Sequence, residues 1–93
     1  MTPIQRRACL SLRRIKLGHF PTRAHRFVQS MINLAEKDRW ESIELSAKQR
    51  AGVARTVRRF RRQVNDPNVL FWAQRTLVEL ATTHQEESCQ QTQ

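Results

Sequence analysis

The sequence predicts an all-α fold, a small bundle of about four helices ending in a polar C-terminal tail. Three observations carry this. Only two glycines and three prolines occur in 93 residues, with no tyrosine and few β-branched runs, a mix that suits helices better than sheets. Apolar residues recur at steps of three and four in four separate stretches, the spacing that stacks side chains on one helix face. Short polar segments with capping residues or Pro bound these stretches. The helices are expected over 3–17, 21–39, 46–64 and 67–81. Residues 1–81 then make a single domain, close to the size at which one core is only marginally stable, and 82–93 are expected to be disordered.

The first helix opens on Thr2 and Pro3, a capping hydroxyl followed by a proline where no N–H is needed. Ile4, Ala8, Leu12 and Ile15 form its apolar stripe, and Gly18 is its stop. Leu10 and Leu17 fall outside that stripe, among Arg6, Arg7, Arg13, Arg14 and Lys16, so this helix is read as having a second, outward apolar face. His19-Phe20-Pro21-Thr22 breaks the chain, and Ala24, Phe27, Val28, Met31, Ile32 and Ala35 make the clearest amphipathic helix. Trp40 to Leu45 is a connector. In the third helix Ser46 and Gln49 have the spacing of a capping box, and Val53, Val57, Phe60 and Val64 form the inner stripe. Asp66 caps the fourth helix and Pro67 takes its first position. Leu70, Ala73, Leu77, Leu80 and Ala81 face inward, and Phe71 and Trp72 widen that face. The expected core is Phe27, Met31, Val53, Val57, Phe60, Leu70, Leu77 and Trp72. The apolar faces are generous for this length and leave room for a homodimer.

Seventeen Lys and Arg against eight Asp and Glu give a net charge of +9. So basic a chain suits a polyanionic partner. The charge is concentrated: residues 1–35 hold seven basic residues and no acid, and residues 49–65 hold six and no acid. Residues 36–48 carry −1 and residues 66–93 carry −3. A merely solvated helix face mixes signs. Arg55, Arg58, Arg59 and Arg62, about half a turn from the apolar stripe of the third helix, are instead the main candidate anion-binding residues. Arg6, Arg7, Arg13 and Arg14 form a candidate second patch. Guanidinium forks match phosphate oxygens in pairs, and such contacts give affinity without reading sequence. A helix-turn-helix is not expected, because Gly52 lies inside an unbroken helical pattern and no second helix follows at the required distance. The aromatic residues are poor candidates for stacking single-stranded bases, since Phe27 and Phe60 fall on core stripes.

A protein–protein adaptor or inhibitor is the alternative, with Leu10, Leu17, Phe71 and Trp72 as anchors in a partner's groove and the arginines meeting acidic side chains. No enzyme is expected: there is no Gly-rich phosphate loop, nucleophile elbow or paired set of acids on a clear face. No cofactor or metal is expected either, because Cys9, His19, His25, His84 and Cys89 lack the close pairs of a zinc site. The two distant cysteines suit reduced thiols and a cytoplasmic location, and no run is long and apolar enough to span a membrane. The acid-free, Arg-rich N-terminus also fits the composition of a mitochondrial transit peptide.

His25-Arg26-Phe27-Val28, followed by Leu45-Ser46-Ala47-Lys48-Gln49 and a basic helix, resembles segments of small phage or mobile-element proteins that accompany DNA replication and recombination. The resemblance covers roughly residues 24–62. It implies a setting in DNA metabolism and leaves open whether the chain touches DNA or docks onto a host helicase or nuclease; the basic charge by itself suits DNA or RNA, or an acidic protein surface of a DNA-processing complex, equally.

Overall fold

Reciprocal hydrogen bonds start two of the helices in the computed structural model. In α1 (Pro3–Ser11) the Gln5 N–H donates to Thr2 Oγ1 at 3.2 Å, and the Thr2 N–H donates to Gln5 Oε1 at 3.0 Å. In α3 (Ala47–Arg59) Ser46 and Gln49 do the same at 3.1 and 2.9 Å. Each box satisfies donors that a helix start leaves free. Asp66 caps α4 (Pro67–Gln91) by accepting from the N–H groups of Asn68 and Val69. The remaining helix is α2 (Thr22–Ala35). The structure describes residues 1–91, with side chains for 1–81; the disordered tail expected over 82–93 lies outside the residues described in full. Helices and short 3₁₀ turns are the only regular elements among the described residues.

Three helices are shorter than their sequence periods suggest. After Ser11 the chain tightens into a 3₁₀ turn over Leu12–Arg14 and becomes extended at Ile15. In an extended strand alternate side chains share a face, so Ile15 and Leu17 both enter the core. The Lys16 N–H donates to Gln63 Oε1 at 2.9 Å, fixing this segment against the end of α3. Gly18, at φ +58°, makes the left-handed turn that follows. The segment after α2 closes with a second 3₁₀ turn at Trp40–Ser42, and α3 ends at Arg59 before a third at Arg61–Gln63. Arg62 therefore sits on that turn rather than on the helix.

Helix α1 is the hub of the bundle. It packs against α2, α3 and α4, and α3 packs most extensively on α4, whereas α2 meets α3 only sparsely. Small side chains make this possible: Ala8, Cys9, Ala35, Ala54 and Ala73 are fully buried, which lets backbones approach closely. Met31, Val53 and Val57 are in the core as expected. Phe27, Phe60, Leu70, Trp72 and Leu77 instead lie half-buried around it. On α4 the inner face centres on Val69, Ala73 and Thr76, with Leu70 and Leu77 at its flank and Ala81 exposed.

Arg6 ties α1 to the neighbouring elements. Its Nε–H donates to the Ala35 carbonyl at 3.0 Å, at the C-terminal end of α2, and its guanidinium lies 4.9 Å from the centre of the Trp40 ring. A cation is favoured at a helix C-terminus and over an indole face. The N-terminal ammonium group donates to the carbonyls of Glu41 and Ile43, holding the connector on the same side.

Burial pushes the Cys9 thiol from 9.0 up to about 11. The folded state thus holds its proton where the unfolded chain loses it, so the stabilisation is complete below pH 9 and is lost as pH rises toward 11. On a Cys89→Ser background, Cys9 should resist a thiol reagent at pH 8 and react at once in denaturant. A native rate within a few-fold of the denatured rate would contradict the buried position.

Candidate nucleic-acid interface

The two proposed arginine clusters have different surroundings. In the α1 cluster, Arg6 is engaged with Ala35 and Trp40 as described. Arg7 pairs with Asp66 at 2.5 Å, and Arg13 pairs with Glu36. Arg14 is exposed beside a shallow pocket shared with Leu10 and Asp66. Three of the four cations expected to form a second anion patch are therefore occupied within the fold. The sequence hides this because Glu36 and Asp66 are remote along the chain.

The α3 cluster is open. Arg55, Arg58, Arg59 and Arg62 are all exposed, and none of them has an acidic partner among the salt bridges of the described residues. Arg55 and Arg59 are one turn apart, with Lys48 two turns before Arg55, so these three share a stripe. Arg58 lies on the adjoining strip, and its carbonyl accepts a bond from Arg61 at 3.4 Å. Arg50 is different: it is half-buried on the core side and lines a pocket with Glu41 and Glu44.

Beside this stripe, the sparse contact between α2 and α3 leaves a cleft of about 720 Å³. Its floor is apolar, from Leu17, Phe20, Phe27, Val28, Gly52 and Phe60. Its rim carries Arg23 from α2 and Lys48, Arg55 and Arg59 from α3, and no acidic side chain lines it. Phe20 and Phe60 meet edge to face at 5.2 Å, and the Arg59 guanidinium lies 4.5 Å from the centre of the Phe20 ring. Sequence reasoning missed this cleft. Lys48 could have been found from its helical spacing to Arg55, but Arg23 joins the group only through the tertiary fold.

The expected partner anchors do not form one surface. Leu17 is in the core at 9% exposure, because the chain is extended there and does not continue α1. Leu10 and Trp72 are half-buried, whereas Phe71 is 66% exposed on α4. Among the described residues no group of three His, Cys, Asp or Glu side chains could hold a metal ion, and no helix is long and apolar enough to cross a membrane. Comparison with family models, curated proteins and solved structures finds no match to this chain.

The arrangement makes Arg6 a structural residue. Arg6→Gln removes the stacked guanidinium and its bond to Ala35, and should lower stability by about 1–2 kcal/mol, measured as a shift in the urea midpoint. An unchanged midpoint would mean that the bond and the stack contribute nothing.

Proposed function

We propose that the protein is a small, non-enzymatic accessory factor that binds nucleic acid through the phosphate contacts of Arg55, Arg58, Arg59 and Arg62, in the cytoplasm. The observation that carries this reading is the contrast between the two clusters. The fold supplies acids or carbonyls to Arg6, Arg7 and Arg13, while the four α3-side arginines stay exposed and acid-free. Cations held this close repel one another, and an anion laid across them removes that repulsion. Guanidinium pairs supply forked donors to phosphate oxygens. None of these contacts reads a base, so binding in this mode is governed by charge and is insensitive to sequence. The resemblance of residues 24–62 to segments of small phage and mobile-element proteins supports a setting in DNA replication or recombination.

The adaptor reading loses Leu17, which is buried. What favours it is Phe71 on α4, a large apolar side chain at 66% exposure. In that reading Phe71 is the anchor that meets an acidic protein of a DNA-processing complex, while Leu10 and Trp72 are half-buried.

Fluorescence anisotropy with duplex DNA, single-stranded DNA and RNA across a salt series tests the first reading. Affinity should fall steeply with salt. Replacing Arg55, Arg58, Arg59 and Arg62 together by Gln should flatten the slope of log K against log salt by about 3–4 for duplex DNA, at roughly one phosphate per arginine. An unaltered slope, or no binding of the parent protein at low salt, would remove nucleic acid as the partner of this face. Phe71→Ser with unimpaired nucleic-acid binding but lost capture of a purified helicase or nuclease would favour the adaptor.

A further inference from the structure

The cleft between α2 and α3 has a chemistry that phosphate binding does not use. A phosphate backbone needs cations and hydrogen-bond donors, yet the floor here is built from Leu17, Phe20, Phe27, Val28 and Phe60 around Gly52. The geometry points to a docking site for an acidic amphipathic helix of a partner protein, its apolar stripe in the cleft and its carboxylates on both rims. This goes beyond nucleic-acid binding and shares only Arg55 and Arg59 with it.

Charge complementarity selects this occupant. Cations stand on both sides of the apolar floor, Arg23 on the α2 side and Lys48, Arg55 and Arg59 on the α3 side, with no acid between them. A helix with apolar residues at i, i+3, i+4 and i+7 and carboxylates flanking that stripe matches both features together. At about 720 Å³ the cleft is within the range of sites that take several apolar groups. Arg59 already lies on the Phe20 ring, which holds its guanidinium in place with donor edges free for a carboxylate.

A nucleobase fits the same space poorly. The one hydroxyl in the cleft, Thr56 Oγ1, already donates to the Gly52 carbonyl at 2.8 Å. Phe20 is covered on one side by Arg59 and meets Phe60 edge to face. A base inserted there would have little ring face to stack on, and its polar edges would go unpaired. Leucine or phenylalanine side chains carry no such edges.

Gly52 provides a test that leaves every charge in place. A Cβ at this position would stand 2.5 Å from Cζ of Phe27, the movable end of a side chain that lines the cleft, so Gly52→Ala displaces the ring and alters the floor. The probe is a fluorescein-labelled synthetic helix with Leu and Phe at i, i+3, i+4 and i+7 and Glu at the flanking positions. Its controls are the same composition in scrambled order and a version with Lys in place of Glu. Anisotropy should show saturable binding of the acidic amphipathic helix, about tenfold or more tighter than either control, a difference well above measurement error. Gly52→Ala should weaken it about tenfold, and so should Ala24→Glu, which sets a carboxylate at the cleft. Circular dichroism checks that each variant is folded, and the second serves if the first is not. Duplex DNA binding should be unchanged in Gly52→Ala, which separates failure of this site from failure of the arginine face. Absence of saturable binding, equal binding of the scrambled helix, or indifference to both folded variants overturns the proposal. So does displacement of the helix by oligothymidylate accompanied by shifts of the Phe27 and Phe60 ring resonances, which would make the cleft a base pocket.

Discussion

Close packing around α1 is the constraint on which the rest of this structure depends. Ala8 and Cys9 are fully buried and Leu12, on the turn that follows, is 1% exposed, and this single helix of nine residues meets all three others. Such a short helix would not persist alone in water; it is held by its cap, its burial and the bond from Arg6 to the end of α2. Its central place has a cost in contact elsewhere, because α2 packs on α1 and reaches α3 only sparsely. The cleft is the space that this arrangement leaves. Phe20, Phe27 and Phe60, too large for the tight centre made by the small residues, stand at its edge.

The same packing sorts the charges. Where α1 meets its neighbours, Arg6 reaches a helix C-terminus and an indole, and Arg7 and Arg13 reach acids from other segments. The Arg7 and Arg13 pairs are substantially exposed, at 53% for each arginine side chain, and pairs of that kind contribute little to stability. Their larger effect is to neutralise one basic block locally while the other keeps its field. The acids of the chain lie in the connector and beyond residue 65; among the described residues Glu36 and Asp66 pair with arginines on the α1 side, and Glu79 pairs with Arg75 along α4, away from the arginine stripe of α3. A strong positive potential therefore survives along the outer stripe of α3 and across the cleft mouth, where a negatively charged partner of either kind would be steered.

The sequence made the local structure legible because caps and periods are local. Ser46 with Gln49, Thr2 with Pro3, and Asp66 with Pro67 each mark a helix start within a few residues, and the structure has a helix at all three. Ile15 and Leu17 were harder. Ile15 fits the helical stripe that starts at Ile4, and only extended backbone, fixed through the bond between Lys16 and Gln63, puts Leu17 beside it in the core. Of the residues expected in the core, Met31, Val53 and Val57 are there, whereas Phe27 and Phe60 lie half-buried around a centre that Ala8, Cys9, Ala35, Ala54 and Ala73 help to fill. Side-chain volume in a sequence says nothing of how near two helices come. For the site, the arginine spacing on α3 was readable, whereas the pairing of Arg7 with Asp66 and the convergence of Arg23 on Lys48 depend on tertiary contacts.

Gly52 joins these threads. In the middle of a helix glycine is less favourable than alanine by about 1 kcal/mol, and α3 is otherwise a capped helix with a well-packed inner face. Alanine here would favour the helix, so the reason for glycine lies outside helix formation. The ring of Phe27 points at its Cα, and an added methyl group would meet that ring at 2.5 Å. Phe27 can bring the tip of its ring against α3 only because this side chain is missing, and in that position it lines the same cleft as Arg23 and Arg55. Had the position served only the core, the ring could shift to meet an alanine and the cleft would be shallower. The glycine thus shapes an apolar floor beneath a cationic rim, between two helices that meet only sparsely.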